Sequence, residues 1–232
     1  MIRPQMFSTG GLTPGQQAWT TAGTFSFVLP DYCYEISAVA SGSGASGATG
    51  YSSDSFTSGA GGGGALTYLN GIPVTPGETL TGVIGAPGAA VTFSNTNGNN
   101  GAAVQLLRGA TVLLNANGGT RGLNDGTGGN GGEASAPPGG VSWAGGKGDS
   151  GVSTTYAAGG SSGRYTSAGS FGSQSTSTAP SDSADLFGNN TGTTLGHGGA
   201  GVKGAPSGAG LVGGLRVIWG AGRSFPSNAA DV

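Results

Sequence analysis

Residues 198–213 read GGAGVKGAPSGAGLVG, and the spacing inside this stretch decides what the chain can be. Gly198, Gly201, Gly204, Gly210 and Gly213 stand three apart in one phase, with Ser207 at the single position glycine leaves. A period of three matches neither an α-helix, at about 3.6 residues per turn, nor a strand, at about two. It matches the extended polyproline-II helix, with three residues per turn and about 3.1 Å of rise per residue. One ridge of such a helix carries no side chain, and as a single rod the fifteen steps from Gly198 to Gly213 would span about 46 Å.

The same spacing recurs outward along the chain, at Gly44, Gly47 and Gly50, at Gly82, Gly85 and Gly88, at Gly126, Gly129 and Gly132, and at Gly145, Gly148 and Gly151. Such a helix makes no internal hydrogen bonds. Several can be buried together only if their N–H and C=O groups bond laterally, which bare glycine ridges permit. Ordering glycine costs about 0.5–1 kcal/mol per residue relative to alanine, so the array must recover this through many lateral bonds. A flexible Gly/Ser linker has a similar composition. The apolar Leu211, Val212 and Leu215 between glycines, and the strand signals between runs, favour the ordered array.

Composition agrees. The 232 residues include 53 Gly and 11 Pro, and only 8 % are charged, against roughly 25 % in ordinary globular chains. The length suggests one or two domains. A net charge of −2, spread singly, supplies neither a field for nucleic acid nor a polybasic stripe for a membrane. No apolar stretch is long enough to span a bilayer, and Met1–Gln5 does not read as a signal peptide. Cys33 is the one cysteine, so no internal disulfide can form.

Strand signals lie between the glycine runs. Trp19, Thr21, Phe25, Phe27 and Leu29 alternate, and Asp31–Ala40 continues to an abrupt change to Ser, Gly and Ala at Ser41. Hairpins are expected over 65–80, turning at Asn70–Gly71, and over 104–114, turning at Arg108–Gly109. No helical periodicity survives the intervening Gly and Pro. The expected fold is therefore all-β and irregular: β-hairpins combined with a glycine-rich polyproline-II (polyglycine-II) helix sandwich. Its divisions are an N-terminal attachment segment 1–30, a glycine-rich domain 31–220 with exposed loops, and a C-terminal tail 221–232. The glycines expected to build the array are Gly82, Gly85, Gly88, Gly145, Gly148, Gly151, Gly198, Gly201, Gly204, Gly210 and Gly213.

Catalytic constellations are absent from the pattern. His197 is the sole histidine, without a nucleophile elbow. One His and one Cys do not make a metal site. Gly42, Gly44 and Gly47 match a phosphate-loop spacing but precede no helix. Asp182 and Asp185, the closest carboxylates, read as solvated loop charges rather than a glycosidase pair. The expectation is a non-enzyme without cofactor or metal.

Aromatic rings inside low-complexity polar stretches carry the functional signal: Tyr51 and Phe56, then Tyr156, Tyr165, Phe171 and Phe187 among Ser, Thr, Gly and Asn, with Trp143 just before a glycine run. Tyr set among Ser, Gly and Asn is the mixture of recognition loops. The same rings could instead cap the ends of the array.

The strand Thr24-Phe25-Ser26-Phe27-Val28-Leu29-Pro30, the run Gly61–Gly64 followed by ALTYLNGIPVTPGETL, and the closing GGLRVIWGAGRSFP of Gly213–Pro226 resemble the glycine-rich tail proteins of bacteriophages over about 24–226. More distantly, the triplet runs are similar to the polyglycine-II distal tail-fibre adhesins of T-even-like phages. The resemblance implies a virion structural protein of the tail or tail fibre, a rigid body attached by one end with loops binding a bacterial surface receptor, protein or glycan. Its partners would be other virion proteins and, if it oligomerises, its own copies. The competing reading is a head decoration or tail-tip cement protein that touches only virion chains. A glycine-rich ice-binding protein shares the rods but not the hairpins or the Arg-Ser-Phe-Pro ending.

Overall fold

The computed structural model describes residues 13–50, 58–92, 95–151, 156–172, 186 and 195–230. Among these there is no helix, and the strands are β1 (Gly15–Trp19), β2 (Gly23–Val28), β3 (Glu35–Ser41), β4 (Thr49–Gly50), β5 (Leu66–Pro73), β6 (Thr79–Ile84), β7 (Val104–Arg108), β8 (Thr111–Ala116), β9 (Val141–Trp143), β10 (Tyr156–Ala157), β11 (Gly201–Lys203) and β12 (Gly214–Trp219). They form a five-stranded sheet β1-β12-β3-β5-β9, a four-stranded sheet β2-β6-β7-β8 and a small sheet β10-β11-β4.

The two larger sheets face each other across a core of Ile36, Ala38, Ala40, Ile72, Leu215 and Val217 from the first and Leu80, Ile84, Val104, Leu106 and Leu114 from the second. Alternation along each strand selects these residues. β12 is buried along both faces, with only Arg216 charged, because it is covered on both. Leu215 and Val217 enter the sandwich, while Ile218 packs outward with Val39, Leu66, Tyr165 and Phe225. The tail 220–230 closes that outer layer. Fully buried Arg216 donates to Leu186 O at 3.0 Å and to Gln16 Oε1, and Arg223 donates to the same Gln16 oxygen at 3.1 Å. The tail and β1 are thus stitched together.

Seven strands run directly into the glycine-rich segments, β3 into 42–49, 58–65 into β5, β6 into 85–92, 96–103 into β7, β8 into 117–123, β9 into 144–151 and 207–213 into β12. Segment 42–49 donates its amides in rotation. Gly42, Ala45 and Ala48 bond Ala65, Gly62 and Gly59; Ser43, Ser46 and Thr49 bond Ala102, Asn99 and Thr96; Gly44 and Gly47 bond Leu211 and Gly208, all at 2.8–3.2 Å. Its carbonyls accept from Gly119 and Gly122, from Gly88, and from Gly199 and Val202. Segment 59–65 behaves alike. Gly59, Gly62 and Ala65 donate to Leu123, Thr120 and Asn117, Ala60 and Gly63 to Asp149 and Gly146, and Gly61 and Gly64 to Gly199 and Gly196. Each segment therefore has neighbours on every side and no ridge free for a side chain. Sequence agrees: GSGASGA at 42–48 and SGAGGGGA at 58–65 carry nothing larger than Ser, and all are buried. Outer segments need glycine only on the inward ridge and carry Leu123, Lys147 or Leu211 on the others.

Several expectations are corrected. Residues 198–213 are not one rod. Gly208 N–H donates to Ala200 O and Leu211 N–H to His197 O, so 197–200 and 208–211 run antiparallel after reversing near Gly204, whose φ is +71°. Gly204 is a turn residue, and the triplet phase merely persists across the turn. Ser207 does occupy a packed position, where its N–H and Oγ bond Val91 O and N. Gly82 lies inside β6, where a methyl would meet Leu215 Cδ2 at 2.7 Å, so it fits the sandwich rather than the array. The other glycines singled out, such as Gly145, Gly148, Gly198 and Gly213, do face backbone carbonyls.

The turn at Arg108–Gly109 joins β7 to β8 as expected, with Gly109 at φ +54°. Asn70–Gly71 is no hairpin turn. β5 continues through it as a bulge opposite β3, and the chain crosses to the other sheet only at 74–78. The extra residue restores Leu69 and Ile72 to the same core, and Asn70 turns its amide to both N and O of Phe225. Within the 1–30 segment β1 pairs with β12 and β2 with β6, and within the 221–232 tail Phe225 and Ala229 are buried, so the described parts of both pack into the body of the fold; 1–12 and 231–232 lie outside the described residues.

A methyl added at Gly44 would lie 1.7 Å from His197 O, whereas one at Gly109 meets nothing within 4 Å. Gly44→Ala is expected to destabilise by about 3 kcal/mol or more, lowering the melting temperature by about 6–12 °C. Gly109→Ala, limited to the left-handed backbone cost, is expected to lose roughly 1–2 kcal/mol. Thermal denaturation of the two variants checks both.

Candidate functional site

The candidate aromatic residues separate into three groups. Tyr51, Phe56 and Phe187 lie outside the described residues. Tyr165 is 3 % exposed and stacks on Phe225, centroids 6.2 Å apart, and against Tyr68 at 5.7 Å. It belongs to the outer-layer core and not to a solvent-facing loop, because the closing tail brings Phe225 over it. Trp143 is half-buried on β9 and donates Nε1–H to Tyr165 O at 3.1 Å, so it braces the same layer. Only Tyr156 and Phe171 are exposed, at 47 % and 72 %. They stand on neighbouring segments, since Gly172 packs against Ala158 O. Tyr156 is on the small sheet with β4 and β11, at the end of the bundle remote from the sandwich.

Two surfaces were not anticipated. At the sandwich end, Tyr32 and Tyr34 stand over a groove of about 210 Å³ that also takes in Glu35, Trp219 and Arg223. On the flank of the bundle, a shallow groove of about 450 Å³ runs between Asn100, Thr120, Arg121, Thr127, Asn130 and Lys147. Spacing could have found the second. Asn97 and Asn100, Arg121 and Asn124, and Thr127 and Asn130 are each three apart, the polar counterpart of the inward glycine ridges. Here side chains replace missing lateral partners. Arg121 N–H donates to Asn100 Oδ1 at 2.9 Å and Asn124 N–H to Asn97 Oδ1 at 2.8 Å.

Three ionisable groups are displaced from their ordinary values. Backbone and hydroxyl hydrogen bonds from Thr127 hold the Asp125 carboxyl below the usual carboxylate range, outweighing slight desolvation. Desolvation raises Glu78, but the hydrogen bonds from Arg108 and Thr75 and the Arg108 charge overcome it and lower the group. Burial pushes the Cys33 thiol up, as befits an inert structural cysteine. His197 is buried in the bundle. Among the described residues no group of His, Cys, Asp and Glu could hold a metal, and no helix is long and apolar enough to cross a membrane.

Neither a family model nor a curated protein matches this chain.

Tyr165→Ala is expected to cost about 3–5 kcal/mol through loss of a packed ring. Phe171→Ala should stay within about 0.5 kcal/mol of the parent, as exposed positions do. Chemical denaturation of both variants distinguishes core ring from surface ring.

Proposed function

We propose that this chain is a bacteriophage virion protein of the tail or tail fibre, a distal adhesin that presents recognition surfaces on a rigid polyglycine-II scaffold and has no catalytic role. The observation that carries the reading is the threefold rotation of donors in 42–49 and 59–65. Successive amides pointing to three different neighbours are what a helix of three residues per turn produces. A scaffold so bonded holds its ends stiff without a large apolar core. That suits a part that must transmit contact from a receptor to a particle.

The closing motif adds to this. In Gly213–Pro226, Arg216 and Arg223 tie the tail to β1, and Phe225 seals the outer layer, so its residues serve closure of the sandwich. In this reading the sandwich end, with residues 29–34 and 220–223, faces neighbouring virion proteins. The opposite end, with Tyr156 and residues 50, 58, 151 and 204, faces the bacterium.

Purified, labelled protein is expected to adsorb to host cells, and Tyr156→Ala combined with Phe171→Ala to weaken adsorption with melting unchanged. Immunolabelling is expected at the tail. Label on capsid faces, together with no adsorption of the purified protein, would replace the adhesin by a decoration protein.

A further inference from the structure

The flank groove has the chemistry of a charged-saccharide site. Of the described cations, Arg108 pairs with Glu78, Arg216 and Arg223 hold the tail, and Arg164 bonds Ser170. Arg121, Lys147 and Lys203 make no ion pair among the described residues, and two of these three line one groove. No acidic side chain lines it. Asp125, two residues from Thr127, and Asp149, two from Lys147, stand next to the lining in sequence, and the Asp125 carboxylate accepts from Thr127 N–H at 2.8 Å.

Neutral groups complete the site. Asn100 uses its Oδ1 on Arg121 N–H, and its Nδ2 has no partner among the described residues. The Asn130 backbone is bonded to Thr120 through N–H to Oγ1 at 2.7 Å and O from N–H at 2.9 Å, which leaves its side-chain amide open. Leu123, half-buried, supplies the one sizeable apolar surface. Gly128 and Gly129 form the floor, where added methyls would strike Gly148 O and Thr120 O, so the floor is packed directly on two other segments.

We propose that this groove binds an acidic polysaccharide, a sugar chain carrying carboxylate or phosphate groups. Arg121 offers a planar fork to such an anion, and Lys147 a point charge. The amides of Asn100 and Asn130 donate to and accept from ring hydroxyls, and Leu123 meets the apolar face of a sugar. A single-stranded nucleic acid fits less well, because no aromatic side chain lines the groove for base stacking and only two cations face it. The inference rests on the adhesin reading for its biological setting, since acidic glycans coat bacteria, but the groove itself is independent of Tyr156 and Phe171.

The full chain would be titrated calorimetrically with polygalacturonate oligomers, with a phosphorylated mannan, and with neutral dextran of the same length, alongside oligothymidylate. Either or both charged saccharides should bind, revealing which anion is preferred, and dextran should bind about tenfold more weakly or worse. Arg121→Gln with Lys147→Gln should cut charged-saccharide binding by about tenfold or more at unchanged melting temperature, and added salt should weaken the parent in the same direction. The proposal is overturned if neither charged saccharide binds, if dextran binds equally, if the double variant binds as the parent does, or if oligothymidylate binds as tightly as the sugars. Cell adsorption separates this from the broader reading. Saccharide binding without adsorption keeps the groove and removes the adhesin. Adsorption with unchanged saccharide binding in the double variant keeps the adhesin and removes the groove.

Discussion

The structure depends on backbone amides from different segments bonding at a separation that leaves no room for a Cβ. At Gly44, Gly47, Gly59, Gly62 and Gly198 the added methyl would stand within 1.7–2.1 Å of a carbonyl oxygen belonging to another segment. Burying peptide groups away from water is costly unless each finds a partner. In this bundle the partners are other peptide groups, bonded laterally in rotation. Each such bond contributes only about 1 kcal/mol net, while leaving one unmade costs more. The arrangement is therefore cooperative, and its interior resembles the inside of a sheet in bonding but not in side-chain packing.

Such a bundle has little of its own to set register, since glycine ridges look alike at every step of three. The sandwich supplies what is missing. Because β3, β5, β6, β7, β8, β9 and β12 continue without linkers into the segments, side-chain packing at Ile36, Leu80, Leu106 and Leu215 fixes where each segment begins. The bulge at Asn70–Gly71 and the tail held by Arg216, Arg223 and Phe225 then lock the outer face of the central sheet. The surfaces at the far end and flank inherit that order. Side chains that protrude there, such as Phe171 and Arg121, stand on backbone hydrogen-bonded to neighbouring segments.

Much of this was legible in the sequence. The glycine period of three exposed the inward ridges, and alternation exposed β2, β7 and β8. The quadruple glycine 61–64 and the Ser/Gly/Ala stretch 42–48 marked segments with no outward face, although a run of small residues reads equally as a linker until six-sided packing is considered. What stayed hidden was non-local. Nothing around Gly204 distinguishes a turn from one more step of the ridge, because its positive φ serves a reversal that only the partner segment 207–213 demands. Asn70–Gly71 carries the residues of a hairpin turn, and only the opposing strand makes it a bulge. Tyr165 sits in the same polar, glycine-rich context as Phe171, and its burial comes from Phe225, sixty residues away. The flank groove needed four segments to assemble, although the polar residues three apart on its walls were visible.

Hydrogen exchange resolved at single amides tests the central claim most directly. The account predicts that Gly44, Ala45, Ser46 and Gly47, and Gly61 through Gly64, which have no side-chain core around them, exchange as slowly as Val39 and Val217 in the sandwich. Exchange of those glycine amides at the rate of an unstructured peptide, with the strands still protected, would contradict it. The segments would then be tethers hung on a small sandwich, and no rigid surface would remain at their ends.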